Sequence, residues 1–287
     1  MSKTNNQSEI FLSGTIYAPP VTKDRPRLTV RGHSYNTEKT RKAQQRQSFL
    51  FRGVAYKSGK KFPIKRNVPL EVYLQFCHQD KKRKGPKITT PDIDNLCKLT
   101  LDAISNSRIW NDDKQVTKVI LEDLWVGPEE KSKIHFSISE HIPSGLKEEY
   151  DDLILRGTIP LKPKAKARPK LSRSKKAYNP KSTRVAQSDQ ATFFVSQQTE
   201  SIETLPLPKK MSVEVHIAFY HKGTEDIKAK LSVPDIDNLL KLTLDAMTDA
   251  GIWTTDSQIT KIVAEDLFAK KGEKARIEYV IKKHVLL

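Results

Sequence analysis

The sequence predicts two tandem copies of one small α+β domain, and three observations carry that prediction. First, Pro91-Asp92-Ile93-Asp94-Asn95-Leu96-Cys97-Lys98-Leu99-Thr100-Leu101-Asp102-Ala103-Ile104 returns as Pro234-Asp235-Ile236-Asp237-Asn238-Leu239-Leu240-Lys241-Leu242-Thr243-Leu244-Asp245-Ala246-Met247. The two segments are identical at twelve of fourteen positions and lie 143 residues apart. Second, each half contains apolar residues alternating with period two, the mark of a half-buried strand. Third, helix-start residues stand among those strands without a regular β-α-β alternation, which favours α+β over a doubly wound sheet.

The same displacement aligns Thr15-Ile16 with Thr158-Ile159, Arg25-Pro26 with Arg168-Pro169, and Tyr35-Asn36 with Tyr178-Asn179. It also aligns Ile109-Trp110 with Ile252-Trp253 and Glu122-Asp123-Leu124 with Glu265-Asp266-Leu267. A period this long is no solenoid unit, so each copy is domain-sized. The expected domains are 9–141 and 152–287. The linker between them, 142–151, combines Pro143, Ser144 and Gly145 with acidic residues and suits an exposed connection.

Each copy is expected to open with a strand, at 9–18 and 152–161. A helix follows, for which Asn36 caps the first copy and Pro180 opens the second, running to about residues 56 and 199. Val68, Leu70, Val72, Leu74 and Phe76 alternate, as do Met211, Val213, Val215, Ile217 and Phe219, each predicting a strand. The repeated Pro-Asp-Ile-Asp-Asn motif then starts a second helix, and strands near 116–125 and 133–139 close the first copy.

The chain has 287 residues with 51 Lys+Arg against 34 Asp+Glu, a net charge of +17. Up to residue 143 there are 26 basic and 15 acidic residues, and beyond it 25 and 19, so both copies are basic. Such charge points to a polyanionic partner, most simply nucleic acid. No apolar run approaches the roughly 18 residues of a membrane span, and residues 1–9 lack the apolar core of a secretory signal. Two cysteines give no disulfide scaffold and fit a reducing, cytoplasmic compartment.

Within the basic chain, carboxylates recur as a set: Asp92, Asp94 and Asp113 match Asp235, Asp237 and Asp256, while Lys98 matches Lys241. With Asp94 as helix cap, Lys98 and Asp102 follow at steps of four on one face, with Asp92 just ahead. Capping and an i, i+4 ion-pair ladder account for part of this pattern, but they leave Asp92 unexplained. Asp113 is expected to approach that cap from a strand start, giving three aspartates per copy. Asp112 has Thr255 as its counterpart, so the second carboxylate of the pair is the better ligand candidate. Hard oxygen donors of this kind suit Mg²⁺ or Mn²⁺.

These residues resemble the RusA family of Holliday junction resolvases. The resemblance rests on Pro-Asp-Ile-Asp-Asn-Leu-x-Lys-x-x-x-Asp-Ala followed by Trp, a short turn, Asp and Gln, and on the upstream Arg-Pro and Tyr-Asn segments. It implies small α+β subunits that pair two-fold and cleave four-way DNA junctions with Mg²⁺. It also implies metal-binding, catalytic roles for Asp92, Asp94, Asp113, Asp235, Asp237 and Asp256, with Lys98 and Lys241 as the essential lysines. Two subunits in one chain imply an intramolecular pseudo-dimer, and a viral or mobile-element origin is compatible with the family. Arg25, Arg27 and Arg41, with Arg168, Lys170 and Arg184, are the expected DNA-contacting residues. Activity on forks or flaps, or a DNA-binding role with silent sites, are the alternatives. Tyr35 and Tyr178 are expected to pack, Trp110 and Trp253 to sit in the core, and Glu122 and Glu265 to be exposed or to support the acidic cluster. His78, His221, His141 and His284 lack the companions of a zinc site.

Overall fold

The computed structural model describes residues 8–24, 27–28, 34–167, 170–171, 177–223 and 226–286. The first copy contains β1 (Ile10–Ile16), β2 (Arg27–Leu28), β3 (Ser34–Tyr35), α1 (Glu38–Lys57), β4 (Leu70–Gln79), β5 (Gly85–Pro86), α2 (Ile93–Ser107), β6 (Val116–Val126) and β7 (Lys133–Glu140). The second repeats the order as β8 (Leu153–Ile159), β9 (Lys170–Leu171), β10 (Ala177–Tyr178), α3 (Lys181–Gln197), β11 (Val213–His221), β12 (Lys228–Ala229), α4 (Ile236–Asp249), β13 (Ile259–Phe268) and β14 (Arg276–Lys283). The α+β prediction is met.

The copies share one sheet. Its order is β1-β7-β4-β6-β13-β11-β14-β8, with β5 and β12 pairing on β6 and β13. At the centre β6 and β13 run antiparallel with Lys118 opposite Glu265, Ile120 opposite Val263 and Glu122 opposite Lys261. Val263 is the repeat counterpart of Ile120, so equivalent residues face each other and a pseudo-two-fold axis passes through that pair. The seam is isologous, as in a homodimer.

Helices α1, α2, α4 and α3 lie in that order along the sheet: α1 packs on α2, α2 on α4 and α4 on α3. A single apolar cluster runs through both copies, from Leu12, Phe51 and Leu74 to Ile217, Trp253 and Ile281. Alternation explains the sidedness: Leu70, Val72, Leu74 and Phe76 are fully buried, whereas Glu71, Tyr73 and Gln75 face away from that core. Trp110 and Trp253 are core residues, each 2% exposed.

The helix starts differ from expectation. Thr37, not Asn36, caps α1, its hydroxyl accepting from the Thr40 N–H at 3.2 Å. Pro180 is itself the cap position of α3, and Lys181 is the first helical residue. The segment joining the copies is tied down at several points, among them the Glu265 carboxylate. Ser144 Oγ (2.6 Å), Ser144 N (3.2 Å) and Gly145 N (3.0 Å) all donate to the Glu265 carboxylate. Glu122 and Glu265 therefore belong to the seam and not to the acidic cluster, because strand alternation points them away from the helices. His284 Nε2 from the second copy lies 3.2 Å from Glu122, and His141 Nε2 from the first lies 3.5 Å from Glu265.

Candidate active site

The aspartate motif begins at a helix cap, two positions earlier than expected. The Asp92 carbonyl accepts from the N–H groups of Asn95 and Leu96, both at 3.2 Å, so Asp92 and not Asp94 is the N-cap of α2. Asp235 caps α4 in the same way. Neither carboxylate makes the usual side-chain cap hydrogen bond. Both remain available for other chemistry, with Asp94 and Asp237 in the first turns of their helices.

The lysines reach across the pseudo-two-fold axis. Lys241 Nζ on α4 donates to Asp94 Oδ2 on α2 at 2.6 Å. Reciprocally, Lys98 Nζ donates to Asp237 Oδ2, and it lies 3.3 Å from Asn238 Oδ1. The expected Asp94–Lys98 ladder within one helix is replaced by these crossed pairs, since α2 and α4 pack side by side at the centre of the sheet. Asp102 is held instead by Lys23 at 2.5 Å, and Asp245 by Lys166.

The third aspartate also comes from the opposite copy. In the first copy, β5 pairs with the end of β6 (Pro86 opposite Leu124) and leads towards Asp92. Asp113 opens the 3-10 turn Asp113–Gln115 at the start of the same strand. Eight residues of strand separate Val116 from Leu124, about 26 Å at 3.3 Å per residue, so a triad within one copy is ruled out. The antiparallel seam brings the start of β6 towards the end of β13, where β12 and the approach to Asp235 begin. Asp113 accordingly feels the charges of Asp235 and Asp237, and Asp92 feels that of Asp256. One cluster contains Asp92, Asp94, Asp256 and Lys241; the other contains Asp235, Asp237, Asp113 and Lys98.

The electrostatics follow from that gathering. Burial raises the Asp92 carboxyl, and the charges of Asp94 and Asp256 push it the same way, opposed by Lys241 and Lys87. Asp235 is raised by burial and then by Asp237. Asp113 is pushed up to about 6, by desolvation first, then by Asp235 and by its hydrogen bond with Asp112. Desolvation works against the ammoniums of Lys98 and Lys241, yet Asp237 and Asp94 keep both above the ordinary lysine value. The copies differ at the third aspartate. Asp256 accepts from Thr248 Oγ1, whereas Asp113 shares a hydrogen bond with Asp112, which Thr255 replaces in the second copy.

Three positioning devices were missed from sequence, although each recurs at the 143-residue displacement. The fully buried Lys87 Nζ donates to the carbonyls of Thr89 (2.6 Å) and Pro91 (3.0 Å) and to Asp123 Oδ2 (3.1 Å). His78 Nε2 lies 2.8 Å from the other Asp123 oxygen. Lys230, Asp266 and His221 repeat the set, with Lys230 bonding Ser232 and Pro234 carbonyls at 2.6 and 3.3 Å. These lysines fix the chain directly before Asp92 and Asp235. Buried Gln115 and Gln258 fix the turns of Asp113 and Asp256, accepting from Asn111 N (3.1 Å) and Thr254 N (2.9 Å). Trp110 and Trp253 donate to Ser105 and Thr248 beside those turns, at 2.8 and 2.7 Å.

Of the expected DNA-contacting residues, Arg41 on α1 and Arg184 on α3 are exposed. Arg25 and Arg168 lie outside the described residues, and Arg27 and Lys170 belong to the short strands β2 and β9. Tyr35 and Tyr178 do not pack as expected: they are 48% and 45% exposed, at the ends of the two-residue strands β3 and β10. Cys77 and Cys97 are buried free thiols.

A family model described as Endodeoxyribonuclease RusA matches residues 18–135 and again 160–282. The chain belongs to the RusA endodeoxyribonuclease family. The two matches fall on the two halves of the sheet and take in all six clustered aspartates and both lysines. No curated protein matches the chain. Among the described residues, no helix is long and apolar enough to cross a membrane. Also among the described residues, no group of three or more His, Cys, Asp or Glu side chains is arranged to hold a metal ion as it stands.

Proposed function

We propose that this chain is a divalent-metal-dependent endonuclease that resolves four-way DNA junctions by paired nicks, in DNA recombination and repair, and that one chain does the work of a homodimer. The observation that carries the reading is the crossed pairing of Lys98 with Asp237 and Lys241 with Asp94. Two equivalent acidic sites result, related by a pseudo-two-fold axis. A junction with opposed strands to cut presents two equivalent phosphodiesters, and a two-fold enzyme matches that symmetry.

The donor set fits a hard cation. All candidate ligands are carboxylate oxygens, Asp235 Oδ1 is buried without a hydrogen-bond partner, and the side chains of the two capping aspartates are spared from capping. Asp92, Asp94 and Asp256 would hold Mg²⁺ or Mn²⁺ in one site, and Asp235, Asp237 and Asp113 in the other. Such an ion, when bound, supplies charge stabilisation at the scissile phosphate and lowers the pKa of a bound water. Lys241 and Lys98 have no lone pair for a metal and serve as point charges that steer and neutralise the phosphate. Lys87 and Lys230 hold the Asp92 and Asp235 loops in place while this happens.

A synthetic four-way junction incubated with Mg²⁺ tests the reading. Asp94→Asn and Asp237→Asn should each lose paired resolution while still nicking from the intact site, and the double variant should do neither. Unimpaired cleavage by the double variant would overturn the site assignment. Cleavage of forks or flaps in preference to the junction would leave the nuclease chemistry standing and change the substrate.

A further inference from the structure

The two copies keep their active-site residues, yet one surface has diverged sharply. Three buried positions of α1 and α3 are the same: Thr40, Gln47 and Phe51 correspond to Thr183, Gln190 and Phe194, and all six are buried. The outer stripe is not. On α1 it reads Lys42, Arg46, Phe49, Arg52 and Tyr56; the matching residues of the second copy are Val185, Asp189, Thr192 and Val195 on α3 and Thr199 in the 3-10 turn that follows it. Phe49 is 74% exposed and Tyr56 88%, one aromatic every seven residues on a face otherwise cationic. Packing does not account for the change at the stripe, because its residues Phe49, Arg52 and Tyr56 face solvent and the central packed positions Thr40, Gln47 and Phe51 are shared.

We propose that the outer face of α1 binds a single DNA strand, and that this contact, carried by the first copy alone, gives the pseudo-symmetric chain one orientation on its branched substrate. Interleaved cations and exposed aromatic rings are what a strand with unpaired bases requires: arginines for phosphates, rings for base faces. Lys42 also pairs with Glu38 at 2.8 Å, so the arginines are the principal phosphate partners.

The stripe is placed to receive such a strand. Gln47 meets Thr100, and Arg52 Nη2 donates to the Asn106 carbonyl, so α1 runs alongside α2 in the same direction. Its Lys42 end is therefore at the Asp92–Asp94 end of α2, and its Tyr56 end points away. From Lys42 to Tyr56 the stripe extends about 21 Å at 1.5 Å per residue, long enough for several nucleotides leaving the cleavage site. The inference rests on DNA being the substrate, but on neither the metal assignment nor a preference for junctions.

The test uses the full chain made nuclease-silent by Asp94→Asn and Asp237→Asn, with fluorescent oligothymidine as probe and anisotropy as readout across a salt series. The second copy's own residues are installed in the first: Arg46→Asp, Phe49→Thr, Arg52→Val and Tyr56→Thr. The second copy already carries all four, three on α3 and Thr199 in the 3-10 turn after it. Affinity for oligothymidine should fall roughly ten-fold or more, and the slope of log K on log salt should flatten by about 1.4 for two lost phosphate contacts. The reciprocal graft, Asp189→Arg, Thr192→Phe, Val195→Arg and Thr199→Tyr, should restore binding to the swapped chain. Unchanged affinity and slope after the swap would overturn the proposal. So would a parent chain that self-associates through this face and becomes monomeric on swapping. Failure of junction cleavage, with strand binding still lost on swapping, would count against the proposed function and not against this surface.

Discussion

Replacing Lys87 with Met removes a buried cation while keeping the side-chain length. Its Nζ has three partners: two carbonyls directly before Asp92 and the 1%-exposed Asp123 carboxylate. Removing one member of a buried charge pair costs about 3–5 kcal/mol, because the remaining charge is left in the interior. His78, 2.8 Å from Asp123, remains to offset part of this, so the lower end, about 3 kcal/mol, is expected. Reversible urea unfolding at neutral pH measures it. The double variant Lys87→Met/Asp123→Leu should recover much of the loss, since no orphan charge remains. The single variant should also disable the cluster of Asp92, Asp94, Asp256 and Lys241 while the cluster around Asp235 still nicks. A loss below about 1 kcal/mol, or equal damage to both sites, would refute the positioning argument.

Asp113, raised to about 6, should titrate near that value by carboxyl-selective NMR, and Asp112→Thr should lower it without reaching the ordinary value, because desolvation and Asp235 remain. Its folded state keeps a proton that the unfolded chain releases from about pH 4, so its contribution to stability falls as pH rises to about 6 and is level above. Glu265 has the opposite sign. Burial alone would raise it, but His141, Ser144 and Lys118 hold it well below its ordinary value. The stability it contributes should be full above about pH 4.5 and fade on acidification, and unfolding curves of Glu265→Gln should lose that acid slope. Ile120→Lys, placing a charge opposite Val263 on the pseudo-two-fold seam beside the core strand residues Val119 and Leu121, should destabilise the whole molecule in one cooperative transition, because one apolar cluster spans both copies. Two separated transitions would contradict that shared core.

Much of this architecture is legible from sequence because periodicity reports local structure directly. The alternating run at Leu70, Val72 and Leu74 becomes β4, and the repeated motif marks α2 and α4. The repeat also discloses the acidic set and its lysine. It does not say which copy completes which site. Asp94, Lys98 and Asp102 share a helical spacing that suggests a local ladder, yet Lys98 pairs with Asp237 and Asp102 with Lys23. Only the β6–β13 register, set by the pairing of two distant strands, decides between local and crossed partners. Lys87 and Lys230 were hidden for a different reason: an isolated lysine reads as surface charge, and its burial depends on a strand 36 residues away. The 143-residue identity of Lys87, Asp123 and His78 was the available signal. Cap positions were missed by one residue at α1 and α3 and by two at α2, where several side chains able to cap lie close together.

The most direct test of shared sites compares two double variants on a four-way junction with Mg²⁺. Asp94→Asn/Asp256→Asn joins residues from different copies within one cluster, so nicking by the other cluster should persist. Asp94→Asn/Asp113→Asn alters a single copy but strikes both clusters, and it should abolish nicking altogether. Nicking retained by the second variant and lost by the first would show that each copy carries its own site, and the crossed arrangement would be wrong.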